Sequence, residues 1–216
     1  MPYDHCLFDL DGTLTDSKEG ILNSLRYAAA RFGVEIPPDG FDRFIGPAIR
    51  DSFKQNFGFN NARAEEATAV YREYFSSKGI YENKLYPGVA EMLERLSERG
   101  VTISLATSKT AAYAERILKH FGVDRYFSFV AGSEFDGRRS DKKELILYAM
   151  KNIDGMKLKC RPAVMAGDRE YDVTGAKQAG IKCVGVTYGY GAPEELTSAD
   201  YIADDTEELT EIILYG

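Results

Sequence analysis

The chain has 216 residues, with 27 lysines and arginines against 34 aspartates and glutamates, so its formal net charge is −7. That length suits one large domain or a domain with an inserted module, and 44% hydrophobic with 28% charged residues excludes wholesale disorder. The acidic excess argues against a nucleic-acid polymer as partner, and no apolar run approaches the ~18 residues of a membrane span.

The first apolar stretch, Cys6 to Leu10, is short and ends in Asp11-Gly12-Thr13, which predicts a buried strand and a turn. The residues before it lack the basic start and long apolar run of a signal peptide. A helix is predicted over 17–32, where Ile21, Leu22, Leu25, Ala28, Ala29 and Phe32 recur at three and four and Gly33 supplies the stop. Pro37-Pro38-Asp39-Gly40 and Ile45-Gly46-Pro47 then interrupt, and helices follow over 48–57 and 62–78. No strand is expected between Asp16 and Leu85, a stretch holding 11 of the 26 aromatic residues.

From Tyr86-Pro87-Gly88 the rhythm changes. Helices are predicted over 89–98, 111–121, 142–151, 171–179 and 206–214, alternating with strands over 101–106, 126–131, 163–166, 183–186 and 201–203. Alternating strand and helix implies an open parallel α/β sheet with helices on both faces. The expected organisation is a Rossmann-like core of residues 1–15 and 86–216, interrupted by an all-helical cap over 16–85.

The charge is unevenly placed. Residues 1–182 carry 27 basic and 26 acidic side chains, whereas 183–216 carry no basic and 8 acidic ones. A solvated surface is the plain explanation of that acidic end, and a docking surface for a basic partner is the functional alternative. Three widely spaced cysteines, Cys6, Cys160 and Cys183, make neither a disulfide framework nor a zinc set and fit reduced thiols in a cytoplasmic protein.

Ligands of open parallel sheets bind outside the carboxyl ends of the strands. There the sequence offers Asp9-Leu10-Asp11-Gly12-Thr13, then Thr107-Ser108, then Lys142 and Lys143 opening a helix, then Gly167-Asp168-Arg169-Glu170-Tyr171-Asp172. Carboxylates crowded together cannot all stay ionised without a cation, and an all-oxygen set prefers Mg2+ to zinc.

This constellation resembles the haloacid dehalogenase superfamily, chiefly its phosphatases, over essentially the whole chain. The D-x-D-G-T motif appears as Asp9 to Thr13, the strand-end hydroxyl as Thr107, the lysine before a helix as Lys142, and G-D-x-x-x-D as Gly167, Asp168 and Asp172. The resemblance implies that Asp9 is a nucleophile forming an aspartyl-phosphate and that Asp11 is the acid and base. It implies Mg2+ held by Asp9, Asp11, Asp168 and Asp172, with Lys142 neutralising phosphate. Leu10, Gly12, Thr13, Thr107, Ser108 and Lys109 are expected around the phosphoryl group. Gly46-Pro47-Ala48-Ile49-Arg50 resembles the specificity loop of small-substrate members, so Arg50 is a candidate for a substrate anion, with Arg43 and Lys18 as weaker ones. Arg169 is a phosphate ligand or an exposed ion pair. The aromatics Phe53, Phe57, Phe59, Tyr71, Tyr74 and Phe75 could stack on a nucleobase, but at helical spacing they are expected in the core.

The expected activity is hydrolysis of a small phosphate monoester by a monomer or weak homodimer, closest to phosphoglycolate-phosphatase-like members. A nucleoside 5′-monophosphate phosphatase is the near alternative, and a phosphosugar mutase a further one. A signalling receiver domain shares the residue types but not their order or the insertion. The remaining motifs fail: there is no P-loop or nucleophile elbow, and the glycine-rich Gly185 to Gly191 follows the wrong strand for a dinucleotide site. His5 and His120 are too isolated for a metal or triad role.

Overall fold

The computed structural model describes residues 3–36, 44–155 and 162–216. Arg43, Cys160 and the Pro37 to Gly40 break lie outside them.

Six strands form one sheet in the order β5-β4-β1-β6-β7-β8, with every neighbour parallel. They are β1 (His5–Phe8), β4 (Thr102–Thr110), β5 (Phe127–Ser133), β6 (Ala163–Gly167), β7 (Lys182–Val186) and β8 (Tyr201–Ala203). All four residues of β1 and all five of β6 are buried, as expected where helices cover both faces of a parallel sheet. Alternation along β1 sends Cys6 and Phe8 to one face and Leu7 to the other. The first face packs on α4 (Val89–Glu98), α5 (Ala111–His120) and α8 (Thr206–Tyr215), the second on α6 (Lys142–Gly155) and α7 (Glu170–Ala179).

Between β1 and α4 the chain runs through α1 (Lys18–Phe32), α2 (Ile49–Phe57) and α3 (Asn61–Tyr74). Where it leaves and re-enters the sheet, β2 (Thr15–Asp16) and β3 (Lys84–Leu85) form a short antiparallel ribbon, Thr15 opposite Leu85. Phe53, Phe57 and Phe59 stack on one another and on Phe32 and Phe44, so these rings are core, as expected.

Three elements depart from expectation. Strand β3 lies where no strand was expected, because its two residues are too few to leave a periodic pattern and form only by pairing with β2. The helix expected over 62–78 is α-helical only to Tyr74 and then widens into a π-turn, Phe75–Gly79, closed by Ile80 N–H donating to the Phe75 carbonyl at 2.8 Å. The widened turn brings Gly79 against α1 so closely that a Cβ on Gly20 would sit 1.9 Å from the Gly79 carbonyl oxygen. Strand β4 runs four residues past Ala106, because its pairing with β5 resumes at Thr110 and Ser133 after a register shift.

His5 lies at the amino end of β1, where its Nε2 and the Ser104 hydroxyl are 2.9 Å apart, and His120 packs edge-on to Tyr81; among the described residues neither belongs to a cluster that could hold a metal. Cys6 and Cys183 are buried free thiols. Among the described residues no helix is long and apolar enough to cross a membrane.

Candidate active site

After β1 the chain builds β4 and β5 on one side, then crosses to β6, β7 and β8 on the other. The crevice at this reversal opens at the carboxyl ends of β1, β4 and β6, where a doubly wound sheet holds its ligand.

Asp9 follows β1 directly, anchored by its N–H to the Ala166 carbonyl at 3.0 Å. Asp168 follows β6, and Asp172 lies in the first turn of α7, with its Oδ2 accepting from the Arg169 N–H at 3.1 Å. One oxygen from each of these three buried carboxylates lies within 4.8 Å of the others. Lys142, the first residue of α6, reaches back into the cluster. Its Nζ is 3.1 Å from Asp9 Oδ1 and 2.8 Å from Asp172 Oδ1, and it donates to the Ala106 carbonyl at 3.0 Å. Burial opposes its charge, but Asp172 and Asp9 outweigh burial and hold the ammonium protonated. The neighbouring Lys143 is exposed, so the register of the adjacent lysines falls on Lys142. Room for it comes from Gly175, where a Cβ would lie 2.7 Å from Lys142 Cγ.

Asp168 accepts from the Thr13 hydroxyl at 3.2 Å and the Tyr190 N–H at 2.8 Å. Burial, then Asp172 and Asp9, push its carboxyl up to about 8. Burial likewise raises Asp172 to about 6, against the pull of Lys142. Three buried acids facing one ammonium are electrostatically incomplete, and one added divalent cation restores balance. The donors are all oxygen, which fits Mg2+ and not a thiol- or imidazole-bound metal.

Asp11 sits at the cleft floor, its Oδ2 2.9 Å from Lys109 Nζ, and the ring of Phe75 lies 4.5 Å from the same ammonium. Thr107, 1% exposed, receives the Lys109 N–H on its hydroxyl, and Ser108 lines the cleft beside it. The structure thus gathers Asp9, Asp11, Thr107, Ser108 and Lys109 on one cleft and Lys142, Asp168 and Asp172 directly behind Asp9.

Three expected phosphate ligands are not on that cleft. Leu10 is fully buried and its carbonyl closes the turn from Thr13, Leu14 and Thr15. Gly12 donates its N–H to the Thr15 carbonyl at 2.9 Å, and the Thr13 hydroxyl is taken by Asp168. These residues shape the turn. Gly12 is required there, with φ +89° and a hypothetical Cβ only 2.2 Å from Asp168 Oδ2.

Arg50 lines the cleft at its outer side, 3.7 Å from Glu65 and against Gly137. Lys18 is fixed by its backbone N–H on Asp16 and Tyr190, away from the cleft. Arg169 is neither a phosphate ligand nor an exposed pair. It is 8% exposed, donates through Nε to Glu195 Oε2 at 2.8 Å and through Nη1 to the Ile45 carbonyl. The cleft, about 910 Å³ including its open mouth, has an aromatic wall of Phe44, Tyr71, Phe75, Tyr113 and Phe135, of which Tyr71 and Phe75 were expected in the core. Tyr113 and Phe135 gave no signal, because they arrive from α5 and the β5–α6 loop, remote in sequence from the helical segment.

The family model for haloacid dehalogenase-like hydrolases matches residues 6–186. A 5′-nucleotidase of Pseudomonas aeruginosa is 44% identical over 94% of this chain and 93% of its own length. A phosphoglycolate phosphatase of Agrobacterium fabrum is 30% identical over 94% of this chain and 89% of its own. Among solved structures, a predicted phosphatase from Clostridium acetobutylicum superposes with a TM-score of 0.92 at 39% identity, covering 99% of both chains. The chain is a haloacid dehalogenase-like hydrolase, an enzyme of the family that holds these phosphatases.

Proposed function

We propose that the chain is a phosphatase for small phosphate monoesters whose leaving group carries an aromatic ring, a nucleoside monophosphate being the natural class. The observation that carries this is the wall of the cleft. Phe44, Ile49, Tyr71, Phe75, Tyr113 and Phe135 face the floor made by Asp9, Asp11 and Thr107. Aromatic faces hold a base by stacking, worth about 1–3 kcal/mol per base where measured. A two-carbon phosphoglycolate would leave that wall untouched, and Arg50, which could take its carboxylate, already has Glu65 as partner. The 44% identity to a 5′-nucleotidase supports the same reading.

The residues support an in-line displacement. An Asp9 carboxylate oxygen attacks phosphorus, the P–O ester bond breaks, and Asp11 gives its proton to the departing alkoxide. Water then attacks the aspartyl-phosphate while Asp11 takes a proton from it, releasing phosphate and free Asp9. Lys142 and the Thr107 hydroxyl offset the charge gathered on the phosphoryl oxygens. Asp9, Asp168 and the Asp11 carbonyl would hold Mg2+, which supplies charge neutralisation when bound. Asp172 is already engaged by Lys142 and the Arg169 N–H, which supports a role in positioning Lys142. Residues 16–85 act as a cap that excludes water, turning about the β2–β3 ribbon.

A phosphate-release panel with Mg2+ tests this, using nucleoside monophosphates, phosphoglycolate and hexose phosphates. The highest kcat/KM is expected for a nucleoside monophosphate. A preference for phosphoglycolate would overturn the substrate class alone. Isomerised hexose phosphate without phosphate release would mark a mutase, and no turnover of any ester would sink the phosphatase reading.

A further inference from the structure

The glycine-rich stretch after β7 follows the wrong strand for a dinucleotide site, yet it packs directly on the candidate site. Gly189 and Gly191 bring it against Asp168 at distances no side chain permits: a Cβ on Gly191 would sit 1.9 Å from the Asp168 carbonyl oxygen. From that base the loop reaches the helical segment at two separate places. The first is the root. The Tyr190 hydroxyl donates to Asp16 Oδ1 at 2.8 Å and accepts the Lys18 N–H at 3.1 Å. The second is the cleft-lining loop. Glu195 is fixed by the N–H groups of Ala192 and Glu170, and holds the Arg169 guanidinium, whose other arm grips the Ile45 carbonyl. Gly46, with φ +109°, lets that guanidinium lie alongside the backbone.

We propose that residues 187–196 are a clasp that holds the helical segment closed over the cleft at its root through Tyr190 and at its loop through Glu195 and Arg169, making these three positioning residues. Both grips stem from one short loop seated on Asp168, so releasing either loosens the other. The Glu195 carboxylate, one of the acids in the charge-asymmetric end of the chain, is thereby an internal strut and not part of a docking surface.

The kinetic consequence rests on the phosphatase reading above; the structural consequence does not. Hydrogen exchange followed by mass spectrometry on Tyr190→Phe and Glu195→Gln separates them. Cutting the root with Tyr190→Phe should speed exchange of amides in 44–51, and Glu195→Gln should speed those in 15–18 and 84–86, each by about tenfold, with β1, β4 and β6 unchanged. If each substitution disturbs only its own contact, or neither changes exchange, the clasp is overturned. Uniform acceleration across the sheet would mean general destabilisation and would also overturn it. Arg169→Lys, which keeps the charge but loses the fork, is a second cut at the loop grip and should reproduce Glu195→Gln. With p-nitrophenyl phosphate, a less populated closed form should raise KM roughly fivefold and leave kcat within about twofold. Equal loss in kcat with KM unmoved would contradict it, whereas an inactive wild-type enzyme would overturn the phosphatase reading and leave the exchange result to decide the clasp.

Discussion

The two walls of the cleft are built on different principles. The sheet wall is a set of charges in a dry place: Asp168 and Asp172 have no exposed surface, Asp9 has 4% and Lys142 6%. Each charge is held by backbone groups or by an opposite charge, so the positions follow from strand ends and helix starts. The opposite wall is aromatic, buried at Phe44, Tyr71 and Phe75 and open at its outer side. Phe135 is 47% exposed, Arg50 keeps 38% of its side chain in solvent, and each is held by one or two loose partners, such as Arg72 over the Phe135 ring. Reaction chemistry needs preorganised dipoles and tolerates little displacement, whereas recognition by ring faces tolerates small shifts. The contrast therefore separates where turnover and where selection reside.

Three experiments can break or sharpen that contrast. Asp9→Asn has the largest expected effect, since it removes the attacking oxygen while keeping shape. Turnover of p-nitrophenyl phosphate should fall by at least about a thousandfold with the fold intact by circular dichroism. Substantial retained activity would mean the sheet wall is not where bonds are broken.

The second is a pH series. Without a cation, Asp168 at about 8 and Asp172 at about 6 bind protons in the folded chain at pH values where unfolded carboxylates, near 3.8, have lost them. Stability of the chelated protein should therefore fall as pH rises from about 4 through 8, by roughly several degrees in Tm. Below about pH 4 both states are protonated and the penalty vanishes. A Mg2+ ion held by the ionised cluster, as proposed, should widen the Tm gap between Mg2+-saturated and chelated samples toward pH 8. A gap that is flat or narrows with rising pH would remove the cation from the sheet wall.

The smallest effect is expected on the aromatic wall. Phe135→Ala deletes one exposed ring, and should raise KM for a nucleoside monophosphate by roughly three- to tenfold while leaving p-nitrophenyl phosphate kinetics nearly unchanged. Equal losses on both substrates would show the two walls to be one functional unit.

The chemistry of the sheet wall was legible because it is local. Asp9-Leu10-Asp11-Gly12-Thr13 and Gly167-Asp168 to Asp172 lie at the junctions of short apolar runs and turns, and parallel topology sends all such junctions to one edge. Lys142 needed one further fact, the burial that separates it from Lys143. The turn residues Leu10, Gly12 and Thr13 were placed near the phosphate by resemblance, but the Leu10 carbonyl and the Gly12 N–H bond within the turn and Asp168 takes the Thr13 hydroxyl. The same limit hid Arg169. A guanidinium beside an acidic motif looks like a phosphate ligand or a surface pair until Glu195 and the Ile45 carbonyl, 26 and 124 positions away, are seen to claim it.

The sequence by itself determined the alternation of strands and helices, the helical insertion, and the order of acids, hydroxyl and lysine along the chain. Those features depend on neighbours within a turn or a strand, where periodicity and glycine placement carry the information. Tertiary structure alone decided which face of the insertion stays core and which becomes cleft. It also decided that the acidic, glycine-rich end of the chain folds back onto Asp168. Both outcomes depend on contacts between segments tens to more than a hundred positions apart, and their partners leave no periodic trace in either segment.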